Sequence, residues 1–194
     1  MRIVSMLMTI VFAGATALAQ VAVPPPPQPA ADKPAGPSLE VTMKFIQDKL
    51  NTIGTVNFAG YVHDSANNTD GVQKFSAAIS NAATNPGACT LSYHRLVINN
   101  SSREHDENVV INLRDVQSIA VLPDEQDWQM YLVRSGDTTK TVKDVPDISA
   151  LVIKLNNGKD PTIRFYEQEL ADRVAKALVH AVELCGGGPK PEPF

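Results

Sequence analysis

The sequence predicts an α+β fold, and three observations carry that prediction. The stretch from Phe165 to Cys185 reads as an amphipathic helix. At about 100° per residue, Leu170, Val174, Ala177, Leu178, Ala181, Val182 and Cys185 share one broad face, with Asp172, Arg173, Lys176 and His180 largely outside it. Between Gly54 and that helix the apolar period is mostly two, so the chain reads as short strands joined by turns. A first helix precedes the strands, with Leu39, Met43, Ile46, Leu50 and Ile53 forming a seam. An amphipathic helix is not stable alone in water, so the last one must lie on an apolar surface that the strands supply.

From the N-terminus, Arg2 precedes an apolar run, Ile3 to Leu18, and Ala17-Leu18-Ala19 has the small-x-small form that signal peptidase accepts. Residues 1–19 are therefore expected to be a signal peptide, and the product to be secreted or periplasmic. A membrane anchor needs roughly 20 apolar residues, and here a shorter run is followed by Pro-rich sequence. Cleavage removes one basic residue of 17, Arg2, and moves the net charge from −4 to −5. That mild acidity, with no Lys or Arg cluster, argues against nucleic acid and anionic lipid as partners. Residues 20–37, with Pro24 to Pro27 at their centre, read as a polyproline II linker. Residues 189–194 read as a flexible tail.

One α+β domain is expected over residues 38–188. Ser38 caps the first helix and Gly54 ends it. Val41 and Phe45 sit roughly opposite its seam, so they either form an interaction surface or are covered by the Pro-rich segment or a loop. Val56 to Val62 and Phe75 to Ile79 alternate across a polar connection and read as a hairpin, which with the helix makes an N-terminal part over residues 38–80. Strands are then expected at 89–98, 108–113, 116–122, 127–133 around Trp128, 139–142, 148–155 and 162–165. Residues 99–106 are read as a polar loop, and Asn156-Asn157-Gly158 turns the last pair.

Seven short strands followed by a helix is an element order that resembles the pleckstrin-homology-like barrel, over residues 89–186. The run Glu169 to Leu178 and the ending Leu184-Cys185-Gly186-Gly187 look like those of a group of uncharacterised exported bacterial proteins. The resemblance implies a strongly bent antiparallel sheet closed by the C-terminal helix, with the first helix and hairpin as additions. Barrels of this kind that bind inositol phosphates surround the headgroup with several cations. The corresponding segment, Asn99 to Glu107, offers Arg103 among Glu104, Asp106 and Glu107, which excludes a phosphoinositide.

Two cysteines in an exported chain, Cys89 and Cys185, suggest one disulfide; the alternative is two buried thiols that never meet. His63 beside Asp64 and His105 beside Asp106 have diverging side chains, no H-x-x-x-H or C-x-x-C spacing occurs, and Asp64 to Gly71 fails the calcium-loop pattern at Ala66 and Phe75. No metal or cofactor is expected. No G-x-S-x-G elbow is present, so His63 and His94 with neighbouring acids remain as the candidate polar site. The reading that results is a non-enzymatic exported module binding an unknown protein or small ligand, and capable of homo-oligomer formation through a strand edge. Its alternative is a small periplasmic hydrolase or ligand-binding enzyme with a pocket between helix and sheet.

Overall fold

A computed structural model describes residues 36–100, 102–134 and 136–188, all within the compact unit that begins at Gly36. The expected signal peptide, nearly all of the Pro-rich linker and the C-terminal tail lie outside the described residues. The chain is α+β, with three helices and eight antiparallel strands described.

Helix α1 (Leu39–Leu50) starts where Ser38 Oγ accepts the Val41 amide, and it buries Thr42, Met43, Ile46 and Leu50. Strands β1 (Thr55–Asp64) and β2 (Thr69–Asn85) form the first hairpin, which is longer than its apolar alternation suggested. Strand β2 runs 17 residues because a bulge at Asn81 and Ala82, with Asn81 at φ 54°, lets it bend and keep pairing. Strands β3 (Thr90–Asn99) and β4 (Ser102–Asn112) follow, then a 3-10 turn (Leu113–Asp115), β5 (Val116–Pro123), helix α2 (Asp124–Arg134), β6 (Lys140–Lys143), β7 (Ser149–Leu155), β8 (Thr162–Phe165) and helix α3 (Gln168–Leu184).

The strands make two sheets, β4-β3-β2-β1-β6 and β5-β7-β8. The first hairpin thus belongs to the main sheet. Among the described residues no ladder joins the two sheets, so backbone pairing does not close the strands into a ring. Strand β7 is buried on both faces at Ser149 to Ile153, as the middle strand of a covered sheet must be. Helix α3 lies over the three-stranded sheet and the 3-10 turn, with α1 along its flank, rather than over the larger sheet alone. The main core joins both helices to both sheets through Met43, Leu91, Tyr93, Ile111, Leu151, Phe165, Val174 and Leu178.

Two expectations are corrected. Residues 127–133 are helix, not strand: Asp124, Asp127, Trp128 and Leu132 are buried at helical spacing, and acids occupy the first turn, where the helix dipole favours them. Residues 99–106 are not a loop, because β3 turns at Asn100, φ 45°, directly into β4. A smaller core forms where Trp128, Leu132, Val62 and Val142 meet. Gly60 makes room for it, since a β-carbon there would stand 2.7 Å from the Trp128 ring.

Cys89 and Cys185 are joined by a disulfide, their α-carbons 5.9 Å apart. It ties the start of β3 to the C-cap of α3. Beyond it Gly187 passes so close to the 3-10 turn that a β-carbon would lie 2.3 Å from the Leu113 carbonyl oxygen, and the Gly188 amide donates to Val116 O.

Candidate functional site

The imidazoles do not converge. His63 Nδ1 is 2.9 Å from Asp70 Oδ1 near the β1–β2 turn. His94 Nε2 is 3.0 Å from Asp106 Oδ1, and His105 Nδ1 is 3.2 Å from Glu107 Oε1. In the β3–β4 register His94 stands opposite Asn108 and His105 opposite Val97, so His94 and His105 project from opposite faces of one hairpin. Each of these three imidazoles lies beside an acid of its own hairpin, and His180 Nε2 on α3 is 2.9 Å from Pro37 O. Arg95 donates to Glu107, with a terminal nitrogen also 3.3 Å from His105 Nδ1, and its hydrogen bond holds the Glu107 carboxyl below the usual carboxylate range. The neighbouring Tyr93 phenol is pushed up by burial, so it does not exchange a proton near neutrality.

Space for a small molecule is equally scarce. The cleft lined by Ile53 and Gly54 after α1, Ala77 to Ile79, Arg95, Val97 and Thr162 to Arg164 has a volume of about 10 Å³, room for one water. A trough of about 440 Å³ runs across the outward face of the large sheet over Asn57, Ala59, Lys74, Ser76 and Ile98, and it is wide open to solvent. Among the described residues no group of three or more His, Cys, Asp or Glu could hold a metal ion, and no helix is long and apolar enough to cross a membrane.

The two α1 residues singled out by the sequence fare differently. Val41 is 61 % exposed, whereas Phe45 is half-buried, with the Arg173 guanidinium of α3 5.7 Å and the Lys49 ammonium 5.8 Å from its ring centre. The cover on Phe45 comes from α3, and Val41 alone is too small to make a patch.

Strand edges are the feature that sequence reasoning left undeveloped. An unpaired edge presents a row of N–H and C=O groups, and this fold covers most of its large sheet's edges with side chains that imitate a strand. Beyond the end of β1, the β2 edge is met by α1 and its cap: the Asn51 amide both donates to Ala82 O and accepts the Ala82 amide, while Gln47 Oε1 accepts the Thr84 amide. At β1, where β6 no longer reaches, the Tyr166 hydroxyl accepts the Asn57 amide at 2.7 Å and donates to Asn57 O. Along β6, Gln129 of α2 donates to Lys140 O and its Oε1 accepts the Val142 amide at 2.9 Å.

Strand β4 is the exception. It ends the sheet, and among the described residues β3 is its only ladder partner. Its outward-directed backbone groups follow from the register. The Asn100 amide donates to Lys74 O, so even-numbered residues at this end of β3 bond toward β2 and odd-numbered ones toward β4. Odd residues of β3 face odd residues of β4, Val97 with His105, Arg95 with Glu107 and Tyr93 with Val109, so the backbones of Asn108 and Val110 point away from the sheet. Val110 is 65 % exposed, more than any other large apolar side chain among the described residues. The sequence signal for this edge was the charge-rich run Glu104 to Glu107, whose polarity hides the strand alternation.

Comparison with known proteins gives no match to a family model, a curated protein or a solved structure.

Proposed function

We propose that this chain is an exported, non-enzymatic binding module that takes up an extended polypeptide segment as a sixth strand along β4. One observation carries the reading: side-chain amides and a phenol occupy the edges of β1, β2 and β6, whereas β4 ends the sheet with β3 alone as its ladder partner among the described residues. Strand addition draws affinity from main-chain hydrogen bonds and selectivity from alternate side chains, and it needs neither a deep pocket nor converging titratable groups. The exported location rests on the signal-like residues 1–19, and a disulfide is at home in an oxidising compartment. The kinship with exported bacterial proteins and with a pleckstrin-homology-like barrel belongs to the same proposal, supported by the amphipathic C-terminal helix lying over the three-stranded antiparallel sheet.

The test is a displayed library of random ten-residue peptides, selected on the wild-type chain and counter-selected on Asn108→Pro. Proline removes an outward N–H while leaving the bonds to β3 in place. Selected peptides should slow amide exchange at Asn108 and Val110. Peptides that bind the proline variant equally well, or protect other amides, overturn the reading.

A further inference from the structure

The geometry points to a second copy of this chain as the strand that β4 takes, paired antiparallel about a two-fold axis at Asn108. The inference rests on the strand-addition reading and specifies its occupant. A two-fold antiparallel pair is self-complementary, so the register decides which side chains oppose one another. The outward backbone groups of one copy must also meet outward groups of the other.

Centring on His105 sets Glu104 against Asp106, centring on Asp106 sets that acid against itself, and centring on Glu107 does the same for Glu107. Like charges directly opposite are destabilising. Centring on Asn108 removes every such clash. Asn108 then faces its own copy, Glu107 faces Val109, Asp106 faces Val110, His105 faces Ile111 and Glu104 faces Asn112, a span of nine residues per strand. Moving the centre on to Val109 shortens the span to residues 106–112. The Asn108 register therefore gives the longest pairing that sets no acid opposite another, lets the outward backbone of Asn108 exchange both bonds with its copy, and covers the exposed Val110. Two five-stranded sheets become one of ten strands. The two-fold closes the assembly, and the covered edge of β6 prevents further growth from the other side.

Sedimentation of the purified chain tests this. An interface of one strand pair is small, so the mass should rise from monomer toward dimer over ~10 µM to ~1 mM. Asn108→Pro should stay monomeric. Val110→Asp, which sets a second acid against Asp106, should weaken the dimer at least tenfold, and Val110→Lys should tighten it. All three variants should keep the wild-type circular dichroism, because the bonds to β3 come from the odd residues. A wild-type chain that stays monomeric throughout, or Asp and Lys at position 110 shifting association in the same direction, overturns the inference. The two readings fail separately. A monomer whose Asn108 and Val110 amides are protected by a selected peptide keeps strand addition and loses self-pairing, and a monomer protected by none loses both.

Discussion

Asp124 and Asp127 share one guanidinium. Arg164 Nε donates to Asp124 Oδ1 at 2.6 Å and its terminal nitrogen to Asp127 Oδ2 at 3.4 Å, while both carboxylates are nearly sealed from water and Asp124 Oδ2 has no partner among the described residues. Burial pushes both carboxyls up against the pull of Arg164. Removing the cation strands two buried charges, so Arg164→Met should cost about 3 kcal/mol in urea unfolding at neutral pH. Asp124→Asn keeps an acceptor for Arg164 and loses the charge, so its cost should be far smaller. The raised folded value also sets a sign. A carboxyl that binds its proton more tightly when folded stabilises most below the unfolded value and loses that contribution as pH rises through the folded one. Relative to wild type, Asp124→Asn should therefore gain stability as pH goes from about 4 to 7, checked by urea midpoints across that range. A gap moving the other way would show that the ion pair outweighs desolvation. At Gly60 the constraint is steric: Gly60→Ala drives a methyl into Trp128 and Val145 and should cost about 1–3 kcal/mol in the same measurement.

At the scale of elements, both helices that bound the fold were legible because their apolar spacing is regular and their ends are marked, α1 by Ser38 and α3 by three glycines. Helix α2 was not legible. Its buried positions include Asp124 and Asp127, which a hydrophobic pattern counts as polar, and Tyr131-Leu132-Val133 is a strand-like triplet. Strand β4 was hidden for the opposite reason, since the charged run Glu104 to Glu107 leaves its first half without apolar alternation. The candidate site was legible only in part: the sequence suggested an open strand edge but could not say which, because strand order arises from pairings up to 82 residues apart, such as Tyr61 with Lys143. Helix α2 nevertheless has a clear duty, for Gln129 closes the β6 edge. Gln129→Leu removes both hydrogen bonds while keeping the helix, so the Val142 amide should exchange at least tenfold faster and stability should fall by about 1–2 kcal/mol. An unchanged Val142 exchange rate would mean that the edge is shielded by packing alone.

Over the whole molecule, a cross-link performs what backbone pairing does not. Among the described residues the two sheets share no ladder, and the end of α3 is fastened to the start of β3 and the 3-10 turn by Cys89–Cys185 and by Gly187 and Gly188. The cysteines are 96 residues apart, and closing a loop of that length restricts the unfolded chain by up to about 4–5 kcal/mol in the chain-entropy account. Both cysteines are buried, so a reductant reaches the bond only after the α3 terminus opens. Reduction of the folded chain should therefore be slow, and faster in mild denaturant. The Cys89→Ser, Cys185→Ser double variant should melt well below the oxidised wild type, with Ala181 and Val182 the first core amides of α3 to exchange. The glycine contacts are not covalent and remain in that variant, so helix α3 should still form. Rapid reduction without denaturant, or a double variant as stable as wild type, would place the fastening in the packing of α3 against β5 and β7 instead, where Val174, Leu178 and Val182 share the core with Leu151, Ile153 and Leu155.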